Sequence, residues 1–120
     1  MICALVIAAH MGGSIADAEA VARWAQASRC EVRIEGTCAS SCTMLLSVGC
    51  VMPDARLGFH APTAGGQRMD EVQRAAWAGR MAAALPPRLA GWYLTGPAYS
   101  RAPVWISGAE AIKAGARRCD

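Results

Sequence analysis

A serine, a histidine and a glycine pair carry the chemistry this chain can offer. Gly36-Thr37-Cys38-Ala39-Ser40-Ser41-Cys42 leads from an alternating segment into an apolar one, with Ser40 at the junction. His60 stands in Gly58-Phe59-His60-Ala61-Pro62, and Gly12-Gly13-Ser14 lies upstream. A serine hydroxyl is a poor nucleophile at neutral pH and needs a base within hydrogen-bond reach. Histidine suits that role because its ordinary pKa lies near the working pH. Acyl transfer also needs N–H donors aimed at the developing oxyanion. Gly13 can present an unobstructed backbone N–H from a turn, and Ser41 can present one from a helix start. The spacing therefore assigns Ser40 as nucleophile, His60 as base, and the amides of Gly13 and Ser41 as the oxyanion hole. Each part also has a plainer reading: Ser40 or Ser41 as a helix cap, Gly12-Gly13 as an ordinary turn, His60 as a structural residue. Ser40 does not stand in a G-x-S-x-G elbow, so an α/β-hydrolase is not supported.

These residues need elements to hold them. Residues 2–9 read as a buried strand, and Ser14 with Asp17 reads as a helix-capping pair. Ala18, Val21, Ala22 and Ala25 then recur at helical spacing up to Ser28-Arg29. In residues 31–36, Val32 and Ile34 alternate with Glu31, Arg33 and Glu35, the pattern of a half-exposed strand. Residues 40–49 are apolar on nearly every side, which predicts a buried helix. Arg56–His60 reads as a short strand and residues 62–66 as a loop. An amphipathic helix is expected over 67–84, broken at Pro86-Pro87, with a shorter one to about Leu94. Val104-Trp105-Ile106 reads as extended. Ser107 with Glu110 forms a capping box, and Gly115 suits the end of a last short helix. Alternation of strand and helix predicts an α/β fold with right-handed crossovers.

The chain has 120 residues, which predicts one domain over 1–120. Hydrophobic residues make up 54% and charged residues 18%, a low charge content that points to further burial, either in an oligomer interface or against sequence outside these 120 residues. A net charge of +3 is too small to argue for nucleic acid. No apolar run reaches the ~20 residues of a membrane span. The sequence as it stands reads as cytoplasmic, and as periplasmic if a signal peptide precedes it. The six cysteines read as buried thiols, with one or two bridges in an oxidising compartment as the competing reading. Cys38 bonded to Cys42 would strain a regular helix, so Cys50 or Cys30 suits either better as a partner, with the connectivity left open by the sequence.

The chain resembles the Clp protease proteolytic subunit and its relatives in the ClpP/crotonase superfamily, from about residue 2 to residue 118. The motifs that carry this are Gly12-Gly13-Ser14-Ile15, Gly36-x-x-Ala39-Ser40, Gly58-Phe59-His60-Ala61-Pro62, and Ser107-Gly108-Ala109-Glu110-Ala111 through Gly115. The Cys-Ala-Ser-Ser-Cys turn is similar to a bacterial ClpP-like branch. The resemblance implies an α/β fold of repeated β-β-α and βα units, N-terminally shortened. It implies a ClpP-type serine peptidase without a cofactor or a metal, with Ser40, His60, Gly13 and Ser41 in the roles above. It further implies extended peptide or unfolded protein as substrate, a homo-oligomer, and an ATPase, if any, on a separate chain.

The family's aspartate before the final helix has no counterpart in Arg101-Ala102-Pro103-Val104-Trp105. The third triad member is therefore unknown: Asp54, Asp70, Glu71 and Glu110 are candidates away from the family position. A scaffold of the same fold that has lost turnover is the alternative. Lys113 as base, a crotonase-type acyl-CoA site, and zinc on Cys38 and Cys42 with His60, His10 or Cys50 are further alternatives.

Overall fold

The computed structural model describes residues 3–120; Ile2 of the expected first strand lies outside them. β1 (Ala4–His10) runs parallel to β2 (Glu31–Ala39), and α1 (Ile15–Ser28) joins them. Ser14 caps α1 by accepting from the Asp17 N–H at 3.2 Å, as the sequence predicts. Arg29 ends the helix with a left-handed φ of 52°.

β2 is the centre of the sheet. Val32, Ile34 and Cys38 are wholly buried on it, while Arg33 reaches Glu35 at 2.8 Å on the exposed face. Its first half pairs in parallel with β3 (Gly49–Val51), and its second half with β4 (Arg56–Phe59). β4 in turn pairs antiparallel with β7 (Val104–Ser107), so the sheet is mixed. The expectation of a plain strand–helix alternation thus needs correcting. β3 is an added strand, because the 3-10 helix before it ends at Ser47 and leaves Gly49–Val51 free to pair.

The ladder between β1 and β2 carries a bulge. Ile7 stands opposite Ile34 but Ala9 stands opposite Thr37, so two residues of β2 face Ala8. Gly36 fills that place, and a Cβ there would lie 1.9 Å from the Ala8 carbonyl oxygen. The missing side chain is what lets the backbones approach.

The apolar stretch after β2 forms a 3-10 helix, Ser40–Ser47, and Ser41 through Leu46 are all buried. It packs against α1, β2 and β4. Beyond His60 the expected helix over 67–84 begins later. Residues 63–68 form a small hairpin of β5 (Thr63–Ala64) and β6 (Gln67–Arg68) around Gly65-Gly66. α2 is Glu71–Ala83, started by Asp70, whose carboxylate accepts from the Gln73 N–H at 2.8 Å. α3 (Pro87–Thr95) packs against it, and α4 (Gly108–Lys113) follows β7 behind the predicted Ser107–Glu110 capping box. Phe59, Met44, Leu57 and Tyr93 anchor the core, all buried. No helix among the described residues is long and apolar enough to cross a membrane.

All six cysteines are paired, as Cys3–Cys30, Cys38–Cys42 and Cys50–Cys119. Buried free thiols, the expected state, are therefore not found. Nor do Cys38 and Cys42 seek Cys30 or Cys50. Cys38 lies near the end of a strand and Cys42 beyond a sharp turn, so the bond spans no regular α-helix and their Cα atoms stand 5.4 Å apart. By loop length alone the bonds of separation 4, 27 and 69 contribute ~2, ~3.5 and ~4.5 kcal/mol.

Candidate functional site

Ser40 occupies the turn between β2 and the 3-10 helix with a φ of 58°, one of two non-glycine residues with positive φ among the described residues. A left-handed conformation at such a residue costs about 1–3 kcal/mol and persists only where its surroundings fix it. Three contacts do so. The Cys38–Cys42 bond straddles it, Thr43 Oγ1 donates to the Ser40 carbonyl at 2.7 Å, and Gly12 packs directly on it. The residue capping the 3-10 helix is Ala39, with no side-chain cap bond. The Ser40 hydroxyl is therefore not spent as a helix cap.

His60 follows β4 directly. Its Nδ1 lies 2.7 Å from the Ala61 carbonyl oxygen. A carbonyl oxygen only accepts, so this contact requires the proton on Nδ1 and leaves the Nε2 lone pair free. The Ala61 peptide is held in turn, since its N–H donates to the Ser100 carbonyl at 2.7 Å. Tyr93, on α3, donates its hydroxyl to the His60 carbonyl at 2.9 Å. Tyr93 is fully buried, and burial pushes its phenol up to about 12. The histidine is thus fastened on both sides by the main chain and a buried tyrosine.

Ser40, His60 and Gly13 line one cavity of about 540 Å³. Its remaining walls come from Ser14 and Ile15 at the start of α1, from the β5–β6 hairpin, and from Met69, Trp77 and Met81. The volume lies within the ~300–1,000 Å³ of ordinary ligand pockets. Among the described residues no hydrogen bond joins Ser40 Oγ to the His60 ring, as is common before substrate tightens a site. No described group accepts from the Gly13 N–H. Ser41 does not line the cavity and its side chain is buried, so any part it plays is through its backbone N–H at the first turn of the 3-10 helix.

The other candidates lie elsewhere. His10 is exposed, and its Nδ1 accepts from the Gly12 N–H at 3.0 Å, which fixes the glycine turn rather than the serine. Among the described residues no carboxylate is bonded to the His60 ring. Glu110 closes its capping box, while Asp70 and Glu71 border a neighbouring cleft of about 410 Å³ with Arg68, Arg74 and Arg101. In that cleft Glu71 holds Arg74 at 2.7 Å, and this ion pair lowers the Glu71 carboxyl and raises the guanidinium. Lys113 lies on α4 and does not line the cavity. With every cysteine in a disulfide, none can offer the thiolate that zinc needs.

Sequence reasoning missed three contributors: the Ala61 carbonyl, Tyr93 and the β5–β6 hairpin. The first has no residue-type signal, since any residue has a carbonyl. Tyr93 could have been flagged as the one tyrosine within an apolar helical stripe. Gly65-Gly66 between Thr63-Ala64 and Gln67-Arg68 was a readable hairpin turn.

No protein-family model matches the sequence, and no curated protein is significantly similar to it.

Proposed function

We propose that the chain is a serine hydrolase of ClpP type that cleaves peptide bonds. Ser40 Oγ attacks the substrate carbonyl and His60 Nε2 takes the hydroxyl proton, then returns it to the leaving amine. The N–H groups of Gly13 and Ser41 receive the oxyanion, each such donor typically contributing about 2.7–4 kcal/mol. Water then enters in place of the amine, gives its proton to His60 and releases the acid, which restores Ser40. What carries the reading is that Ser40, His60 and Gly13 share one cavity while Ser40 is held in a left-handed turn. In place of an aspartate, the Ala61 carbonyl orients the imidazole. The order of a strand, the glycine loop, a second strand and the serine turn supports a ClpP/crotonase-like arrangement.

Labelling by a fluorophosphonate probe tests the reading. Labelling lost in Ser40→Ala and strongly reduced in His60→Ala supports it; an unlabelled, folded wild type removes it.

One observation favours a second reading. No described carboxylate faces the His60 ring, and a neutral carbonyl stabilises an imidazolium less than an aspartate does. A scaffold that assembles through exposed Val6, Met11 and Trp24 and has lost turnover would be unlabelled yet oligomeric. Both readings accommodate a homo-oligomer, and sedimentation measures it. Three disulfides favour an oxidising compartment for either.

A further inference from the structure

The cysteines flanking Ser40 differ from the other two pairs in where their bond lies. Cys38 and Cys42 stand two residues on either side of Ser40. Cys38 is fixed within the sheet, opposite His10 on β1 and Leu57 on β4. Cys42 lies in the 3-10 helix, and both cysteines are buried. The bond therefore ties the end of β2, paired on both sides, to the first turn of the 3-10 helix, with the serine in between. This loop is the shortest of the three, at a separation of 4 against 27 and 69, so chain closure gains least from it. What it fixes instead is the backbone at Ser40, the one non-glycine residue with positive φ that lines the cavity.

We propose that Cys38 and Cys42 are a positioning pair, whose disulfide holds Ser40 in the left-handed conformation that aims its hydroxyl into the cavity. The proposal rests on the hydrolase reading for its consequence in activity. Without the bond only the Thr43 hydrogen bond and the Gly12 contact hold the turn, and the chain between 38 and 42 gains room to relax toward right-handed or extended backbone, since only Gly and a few other residues tolerate the left-handed region. The Ser40 hydroxyl then shifts relative to the cavity it lines with Gly13 and His60. A displacement of about 1 Å can cost on the order of 100-fold in rate.

The test compares the full-length wild type with two double variants, Cys38→Ala/Cys42→Ala and Cys3→Ala/Cys30→Ala. Fluorophosphonate labelling rate and melting temperature are measured for each. The expected result is an inversion. The 38/42 variant labels at least about 10-fold more slowly, in line with misplacement of the nucleophile. The 3/30 variant keeps the wild-type labelling rate while losing more in melting temperature. Labelling of the 38/42 variant at the wild-type rate overturns the proposal, and so does equal slowing in both variants. If Cys38→Ala/Cys42→Ala does not fold, Cys38→Val/Cys42→Ala restores core volume and is read in the same way. If the wild type itself is unlabelled, the hydrolase reading fails, and the backbone decides the positioning claim. Scalar couplings at residue 40 then show a positive φ in the wild type that is lost in the variant, or the proposal falls.

Discussion

Gly12 rests on Ser40: a Cβ at position 12 would stand 2.5 Å from the Ser40 Cβ and 3.1 Å from its Oγ. The glycine's own φ of 98° also suits no other side chain. Gly12→Ala must therefore push the serine, the glycine turn or both. The expected outcome is a loss of fluorophosphonate labelling on the order of 10- to 100-fold. Stability should fall by about 1 kcal/mol or more, because the left-handed φ strains any residue but glycine and the methyl would stand 2.9 Å from the Ala39 carbonyl oxygen. Labelling kinetics and thermal melting measure the two effects separately.

The contact between His60 Nδ1 and the Ala61 oxygen fixes the tautomer of the neutral ring. Long-range nitrogen–proton correlation spectra should show the His60 proton on Nδ1. A ring found with its proton on Nε2 could not act as the base at that nitrogen.

Tyr93 predicts an alkaline transition. Its folded-state phenol is pushed up to about 12 from an unfolded value of 10.0. The folded chain thus binds this proton more tightly than the unfolded one does. The contribution is fully present below pH 10 and is lost as pH rises toward 12. Tyr93→Phe should remove this component of the pH dependence. It should also cost about 1 kcal/mol at neutral pH, from the lost hydrogen bond to the His60 carbonyl. Denaturant titrations at pH values on either side of the window check both.

Gly36→Ala tests the bulge. The added methyl would fall 1.9 Å from the Ala8 oxygen and cannot be accommodated without separating β1 from β2. A loss of about 3 kcal/mol is expected by chemical denaturation. A variant as stable as the wild type would mean that the strands part easily at this point.

Much of this architecture was legible in the sequence. The alternation of Val32 and Ile34 with charged residues gave β2, and Ser14 and Ser107 announced their helices. Asp70 with Gln73 three residues on carried the true start of α2, but the apolar periodicity extended the expected helix back to residue 67. Ser40, His60 and Gly13 stand out in the sequence by residue type alone, and the fold brings them to one cavity. The orienting group on His60 does not stand out, because it is main chain. The cysteine pairs escaped for a related reason. Which sulfurs meet depends on the fold bringing Cys3 beside Cys30 and Cys50 beside Cys119, and for Cys38–Cys42 on a turn at Ser40 that breaks helical geometry.

The Cys50–Cys119 bond encloses the exposed β5–β6 hairpin within its covalent ring. A protease that cuts at Gly65-Gly66 therefore yields two fragments that remain one molecule until a reductant is added. The nick would open a wall of the cavity without shedding any part of the chain. On a non-reducing gel the nicked protein should run as a single band, and under reduction as two.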